Sequence, residues 1–102
     1  MQGTLAPDLA YVLSLESLTL SGNLLTGPLP ASWSALTALT FIDLSSNALT
    51  GTLPGEWASG TSLVVLRTIN LAANKLWSTI PAEWGSGLPG LARLLVDDNT
   101  KL

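Results

Sequence analysis

The sequence predicts an α/β-type solenoid: a stack of coils with a short parallel sheet on the concave face and 3₁₀, short helical or irregular segments on the convex face. Three observations predict it. Apolar residues recur at fixed offsets from four asparagines, those asparagines are spaced at 24, 27 and 25 residues, and the chain is 47% hydrophobic without a membrane-length apolar run. A period of this size is the signature of stacked supersecondary units, each too small to bury its own apolar face.

The anchors are Asn23, Asn47, Asn74 and Asn99. Three, five, eight and eleven residues before each lie Leu20, Leu18, Leu15 and Val12; Leu44, Ile42, Leu39 and Leu36; Leu71, Ile69, Leu66 and Leu63; Val96, Leu94, Leu91 and Leu88. All sixteen positions are apolar. With about half the chain apolar, chance would produce this about once in tens of thousands of trials. The segment before each Asn alternates, as in Ser17-Leu-Thr-Leu-Ser21. Side chains of a strand point alternately to its two faces, so Leu18 and Leu20 point inward and Ser17, Thr19 and Ser21 outward.

Each strand ends in Ser-Gly-Asn, Ser-Ser-Asn, Ala-Ala-Asn or Asp-Asp-Asn. An Asn amide both donates and accepts, so it suits a corner where backbone groups leave the strand and would be buried without partners. Stacked coils then form a ladder from Asn23, Asn47, Asn74 and Asn99. Gly27 and Gly51 follow four residues after their Asn, then Leu29-Pro30, Leu53-Pro54 and Ile80-Pro81, which read as short extended segments. Ser78 stands in the glycine place of the third repeat and makes that turn irregular. Trp33, Trp57 and Trp84 share one position, ten after the Asn. They are expected to stack as a column packing the convex side, with a platform for a carbohydrate or aromatic ligand as the alternative. Trp77 has no repeat position and is a candidate surface contact.

The pattern LxxLxLxxNxLxGxLP, here Leu15-x-x-Leu18-x-Leu20-x-x-Asn23-x-Leu25-x-Gly27-x-Leu29-Pro30, resembles the leucine-rich repeat in its plant-type, roughly 24-residue form. It covers almost the whole chain. The continuation LP-x-x-W in Leu29-Pro-Ala-Ser-Trp33 and Leu53-Pro-Gly-Glu-Trp57 is most similar to repeats of trypanosomatid surface antigens and proteophosphoglycans, and receptor-like plant ectodomains are similar as well. The resemblance implies one array over residues 1–102, recognition of a partner on the concave sheet, and a cell-surface, membrane-associated setting; an intracellular scaffold or regulatory subunit in the cytoplasm is the alternative. Neither end carries a recognisable cap, so the sequence reads as a segment of a longer array with further repeats on both sides.

The outward strand positions in the candidate strip are Ser17, Thr19, Phe41, Asp43, Thr68, Asn70, Arg93 and Leu95, continued by Ser21, Ser45, Ala72 and Asp97. Binding hot spots favour aromatic residues and arginine, which singles out Phe41 and Arg93. Four strands of about 17 Å at about 4.8 Å spacing present on the order of 300 Å². A standard interface uses about 800 Å² per partner, so this strip alone is expected to bind a protein or carbohydrate ligand weakly.

Composition narrows the chemistry. Cys and His are absent, so neither a disulfide framework, a thiol nucleophile nor an imidazole base is available. The four basic residues, Arg67, Lys75, Arg93 and Lys101, are dispersed and the net charge is −3, which argues against nucleic acid. Asp43, Asp97 and Asp98 lack an accompanying nucleophile or cation, and Asp97-Asp98-Asn99 is too short for a calcium loop. No catalytic residue, metal or cofactor is therefore assigned. Direct membrane insertion is not expected of this segment, and no Asn is followed two residues later by Ser or Thr, so there is no N-glycosylation signal.

Overall fold

In the computed structural model, which describes residues 2–5, 7–59, 63–77 and 79–99, the repeats become a stack of coils. Each alternating segment before an Asn forms a short strand, namely β2 (Ser17–Thr19), β4 (Phe41–Asp43), β6 (Thr68–Asn70) and β8 (Arg93–Leu95). They pair in parallel in the order β2-β4-β6-β8. Leu18, Ile42, Ile69 and Leu94 are in register. Each row thus holds residues from equivalent repeat positions.

A second parallel sheet was not foreseen from the sequence. The segments after each Asn form β1 (Gln2–Thr4), β3 (Leu24–Gly27), β5 (Ala48–Gly51) and β7 (Lys75–Leu76), ordered β1-β3-β5-β7. Their register differs in kind. In the concave sheet, Ser17 opposes Phe41, 24 residues on and equal to the repeat spacing, whereas in the second sheet Thr26 opposes Ala48, two short of it. The concave strands therefore run square to the stack, and the chain climbs from coil to coil along the second sheet.

Gly27 and Gly51 have φ of +83° and +89°, the region L-residues resist, so the glycines after the Asn are required by the turn. A second left-handed position lies immediately before each Asn: Gly22, Ser46, Ala73 and Asp98 have φ of +70°, +58°, +58° and +59°. Only one of the four is glycine. A left-handed L-residue costs about 1–2 kcal/mol, while glycine adds roughly 0.5–1 kcal/mol of unfolded-state entropy. Ala73→Gly is accordingly expected to stabilise the fold slightly and Ala73→Val to destabilise it; urea unfolding of the two variants gives the signs, and equal midpoints would contradict the strain.

Among the described residues the return segments are three 3₁₀ turns, η1 (Pro7–Tyr11), η2 (Ala31–Ala35) and η3 (Gly55–Ala58), and one short helix, α1 (Trp84–Gly87). Pro30 and Pro54 precede η2 and η3 in extended conformation, where a missing N–H leaves no gap in a ladder. The three Trp form the expected column. Ring centroids of Trp33 and Trp57 are 6.4 Å apart and those of Trp57 and Trp84 5.9 Å, with interplanar angles of 10° and 5°. The indole N–H of Trp57 donates to the Pro30 carbonyl at 2.9 Å and that of Trp84 to Pro54 at 2.8 Å. With these rings at 0–4% exposure, the column is core, and the ligand-platform alternative has no accessible face there.

Burial grades along the stack. The inner coils place Leu36, Leu39, Ile42, Leu44, Leu63, Leu66, Ile69 and Leu71 at 0% exposure. At the ends, Leu15, Leu20, Leu91, Leu94 and Val96 are only partly buried, and Val12 is 45% exposed. Val12 is thus apolar by repeat position yet not core, unlike Leu36, Leu63 and Leu88 at the same position. The irregular turn expected at Ser78 lies outside the described residues.

Candidate functional site

Square strands make the outward side chains line up in rows across the sheet. One row is Ser17, Phe41, Thr68 and Arg93; the next is Thr19, Asp43, Asn70 and Leu95. All eight residues assigned to the strip are therefore brought together. Ser17, Thr19 and Arg93 are exposed, and Phe41, Asp43, Thr68, Asn70 and Leu95 are half-buried. Phe41 stands on an inner strand with a hydroxyl-bearing residue on either side in its row, a small apolar anchor in a polar strip.

Two members also serve the fold. The Asp43 carboxylate accepts from the Ser45 amide at 3.1 Å and the Ser45 hydroxyl at 2.7 Å, and the Asn70 side-chain oxygen accepts from the Ala72 amide at 3.2 Å. Each caps the turn leaving its own strand. Their remaining polar atoms are what the strip can offer a ligand.

Arg67 was missed by counting outward positions from the strand centre alone. It precedes β6 and is exposed, and its carbonyl accepts from the amides of Ala92 at 2.8 Å and Arg93 at 3.0 Å, which sets it on the coil adjoining Arg93. The residues entering the strands form their own column, Glu16, Thr40, Arg67 and Ala92, linked by the Thr40 amide and hydroxyl donating to the Glu16 carbonyl and the Arg67 amide to the Thr40 carbonyl. Two arginines thus stand on adjoining coils at one end of the strip, and Glu16 stands on the coil at the other end of the entering column. The signal was present: every repeat has two residues, not one, between its inward positions eight and five before the Asn.

Behind the strip, the Asn ladder joins the coils. Asn74 accepts from the Leu49 amide at 3.0 Å and donates to the carbonyls of Leu44 at 2.9 Å, Leu71 at 3.1 Å and Ala72 at 3.3 Å. Asn47 and Asn99 repeat the arrangement, accepting from Leu25 at 3.1 Å and Leu76 at 3.0 Å. Asn23 donates to the Leu20 and Ser21 carbonyls. The ladder is structural.

Away from the strip, Trp77 is 50% exposed and Ile80 45%. Among the described residues no three His, Cys, Asp or Glu side chains gather as a metal site, and no helix is long and apolar enough to cross a membrane.

The sequence model of the leucine-rich repeat matches residues 14–36 and 38–59. No curated protein sequence matches significantly. Among solved structures, the plant peptide hormone receptor RGFR1 in complex with RGF2 is similar at 34% identity and a TM-score of 0.89, over 96% of this chain and 15% of that one. The BIR2 ectodomain from Arabidopsis thaliana follows at 33% identity and 0.87, over 96% and 50%, and a plant ice-binding protein at 30% and 0.88, over 98% and 31%. The chain thus spans half or less of each of these proteins, and the trypanosomatid resemblance has no counterpart among the three. With the repeat pattern, the paired sheets and the Asn ladder all in place, the chain is a leucine-rich-repeat protein.

Proposed function

We propose that the chain is a non-catalytic recognition module whose concave strip binds an extended peptide or a peptide-like segment of a protein, at a cell surface. The observation that carries this reading is the row register, which sets Phe41 and Arg93 on one line across four coils. A peptide running along that line would meet an apolar contact at Phe41 and guanidinium groups at Arg93 and Arg67, suited to a carboxylate. Solved receptors of similar fold were captured with RGF2 and with a peptide hormone, which supports a peptide over a carbohydrate.

Strands of three residues rise about 10 Å, and four of them span about 14 Å, so the strip measures on the order of 150 Å². That is well below the about 800 Å² per partner of a standard interface. Binding is expected in the micromolar range or weaker.

The test is selection from a random peptide library displayed on phage, run in parallel on wild type and on an F41A/R93E variant whose fold is checked by far-UV circular dichroism. Peptides bearing a carboxylate should enrich on wild type alone, and Arg93→Glu by itself should weaken them at least tenfold with unchanged melting. Enrichment on both proteins alike would move the site off the strip.

A further inference from the structure

Charge is ordered along the concave strip. Glu16 stands at the entrance of β2 and Asp43 on β4, so both acids belong to the first two strands of that sheet. Arg67 stands at the entrance of β6 and Arg93 on β8, so both cations belong to the last two. Glu16, Arg67 and Arg93 are exposed, and the half-buried Phe41 stands on the strand between Glu16 and the arginines. We propose that the extended peptide taken by the strip turns three side chains toward it, at positions i, i+2 and i+4: a basic one over Glu16, an apolar one over Phe41 and an acidic one over Arg93 and Arg67. This rests on the concave-strip reading above and adds to it the ligand's charge pattern and spacing.

The spacing follows from register. Ser17, Phe41, Thr68 and Arg93 form one row, and adjoining strands lie about 4.8 Å apart, so the coils of Glu16 and Arg93 are about 14 Å apart. An extended peptide rises about 3.4 Å per residue and turns every second side chain to the same face, which puts residues i and i+4 about 13.5 Å apart. The same-face alternatives do not fit, since i+2 falls at about 7 Å and i+6 at about 20 Å. Residue i+2 of the fitting register lands within about 2 Å of the Phe41 coil. A peptide running in either direction satisfies the pattern, so the requirement is opposite charges four residues apart, whichever comes first.

The neighbours preserve the contrast. Thr40 stands between Glu16 and Arg67 in the entering column, and Thr68 between Phe41 and Arg93 in the row. Asp97 and Asp98 lie past the end of β8, beyond Leu95. At about 13 Å or more from Arg93 they are farther than a Debye length in physiological salt, so the arginine pair keeps its sign. Strand side chains stand roughly perpendicular to the sheet, so coils before β2 or after β8 would lengthen the strip and leave these residues uncovered.

NMR titration of the ¹⁵N-labelled chain at low salt reads both affinity and location. The probes are four end-capped pentapeptides, free of terminal charge: Lys-Thr-Leu-Thr-Glu, Lys-Thr-Leu-Thr-Lys, Glu-Thr-Leu-Thr-Glu and, with the first composition at a different spacing, Lys-Glu-Thr-Leu-Thr. The first should bind most tightly, about five- to tenfold over the like-charged pair, because each exposed ion pair contributes up to about fivefold. Its amide shifts should centre on Phe41, Thr68 and Arg93, and its advantage should shrink in high salt. Glu16→Arg should make Glu-Thr-Leu-Thr-Glu the tightest binder, and Arg67→Glu with Arg93→Glu should make it Lys-Thr-Leu-Thr-Lys. Far-UV circular dichroism checks the fold of both variants, and Glu16→Arg alone decides the matter if the double variant is unfolded. Equal affinities of the four peptides for the strip, or a rank order that Glu16→Arg leaves unchanged, overturn the charge pattern and leave a strip that binds peptides. No shift at millimolar peptide, or shifts confined to residues away from the two rows, overturn the strip reading as well.

Discussion

Trp57→Ala is expected to lower the free energy of unfolding by about 3–5 kcal/mol, the range for removing a fully buried large aromatic side chain. Trp57 is at 0% exposure, with a stacked ring on each side, and its N–H is bonded to the Pro30 carbonyl. The substitution therefore opens a cavity, breaks both stacks and removes the partner of a carbonyl at once. A whole domain has only about 5–15 kcal/mol of stability, so the variant should be close to unfolded at room temperature. Trp57→Phe separates the causes: it keeps most of the ring and loses the hydrogen bond, which should cost about 1–3 kcal/mol. Urea titrations of the pair are decisive, and a Trp57→Ala midpoint within error of wild type would mean that the column is not core.

The second large effect belongs to the Asn ladder. Asn74 is the most buried rung, at 7% exposure. Its carbonyl contacts are partly backed up, since the Leu44 oxygen also accepts from Asn47 and the Leu71 oxygen from Asn99. The Leu49 amide donates to the Asn74 side-chain oxygen. Asn74→Ala should thus cost about 2–4 kcal/mol, most of it from burying that amide without its acceptor. Asn47→Ala, at a half-buried rung, should cost about 1–3 kcal/mol. Thermal melts of the two variants would show the ordering, and the reverse order would contradict the view that burial sets the cost.

How much of this was legible in the sequence depends on the kind of constraint involved. Inward Leu, Ile and Val, the Asn ladder and the Trp column each repeat a residue type at a fixed offset, and a type repeated across coils leaves a visible trace. The concave rows were legible for the same reason, since alternation about Leu18 and Ile42 names the outward neighbours directly. The second sheet was not: Leu24, Ala48 and Lys75 share no side-chain character, because their strands are set by backbone pairing. The left-handed position before each Asn was hidden likewise, as Gly22, Ser46, Ala73 and Asp98 have only a backbone angle in common. Val12 failed in the other direction. Its type matches the core position, but burial depends on what packs against it, which type cannot report. Arg67 was overlooked because it falls between the strand period and the coil period.

The Trp column also makes the molecule report on itself optically. Near-parallel indoles about 6 Å apart are close enough for their electronic transitions to couple, so the absorbance of the folded stack should be hypochromic and should rise when the coils separate. Trp77 stands outside the column and half in solvent. Its emission should be red-shifted and open to iodide quenching, while the three buried rings emit to the blue and resist it. Two populations of light from one chain would thus distinguish opening of the coils from changes at the surface around Trp77.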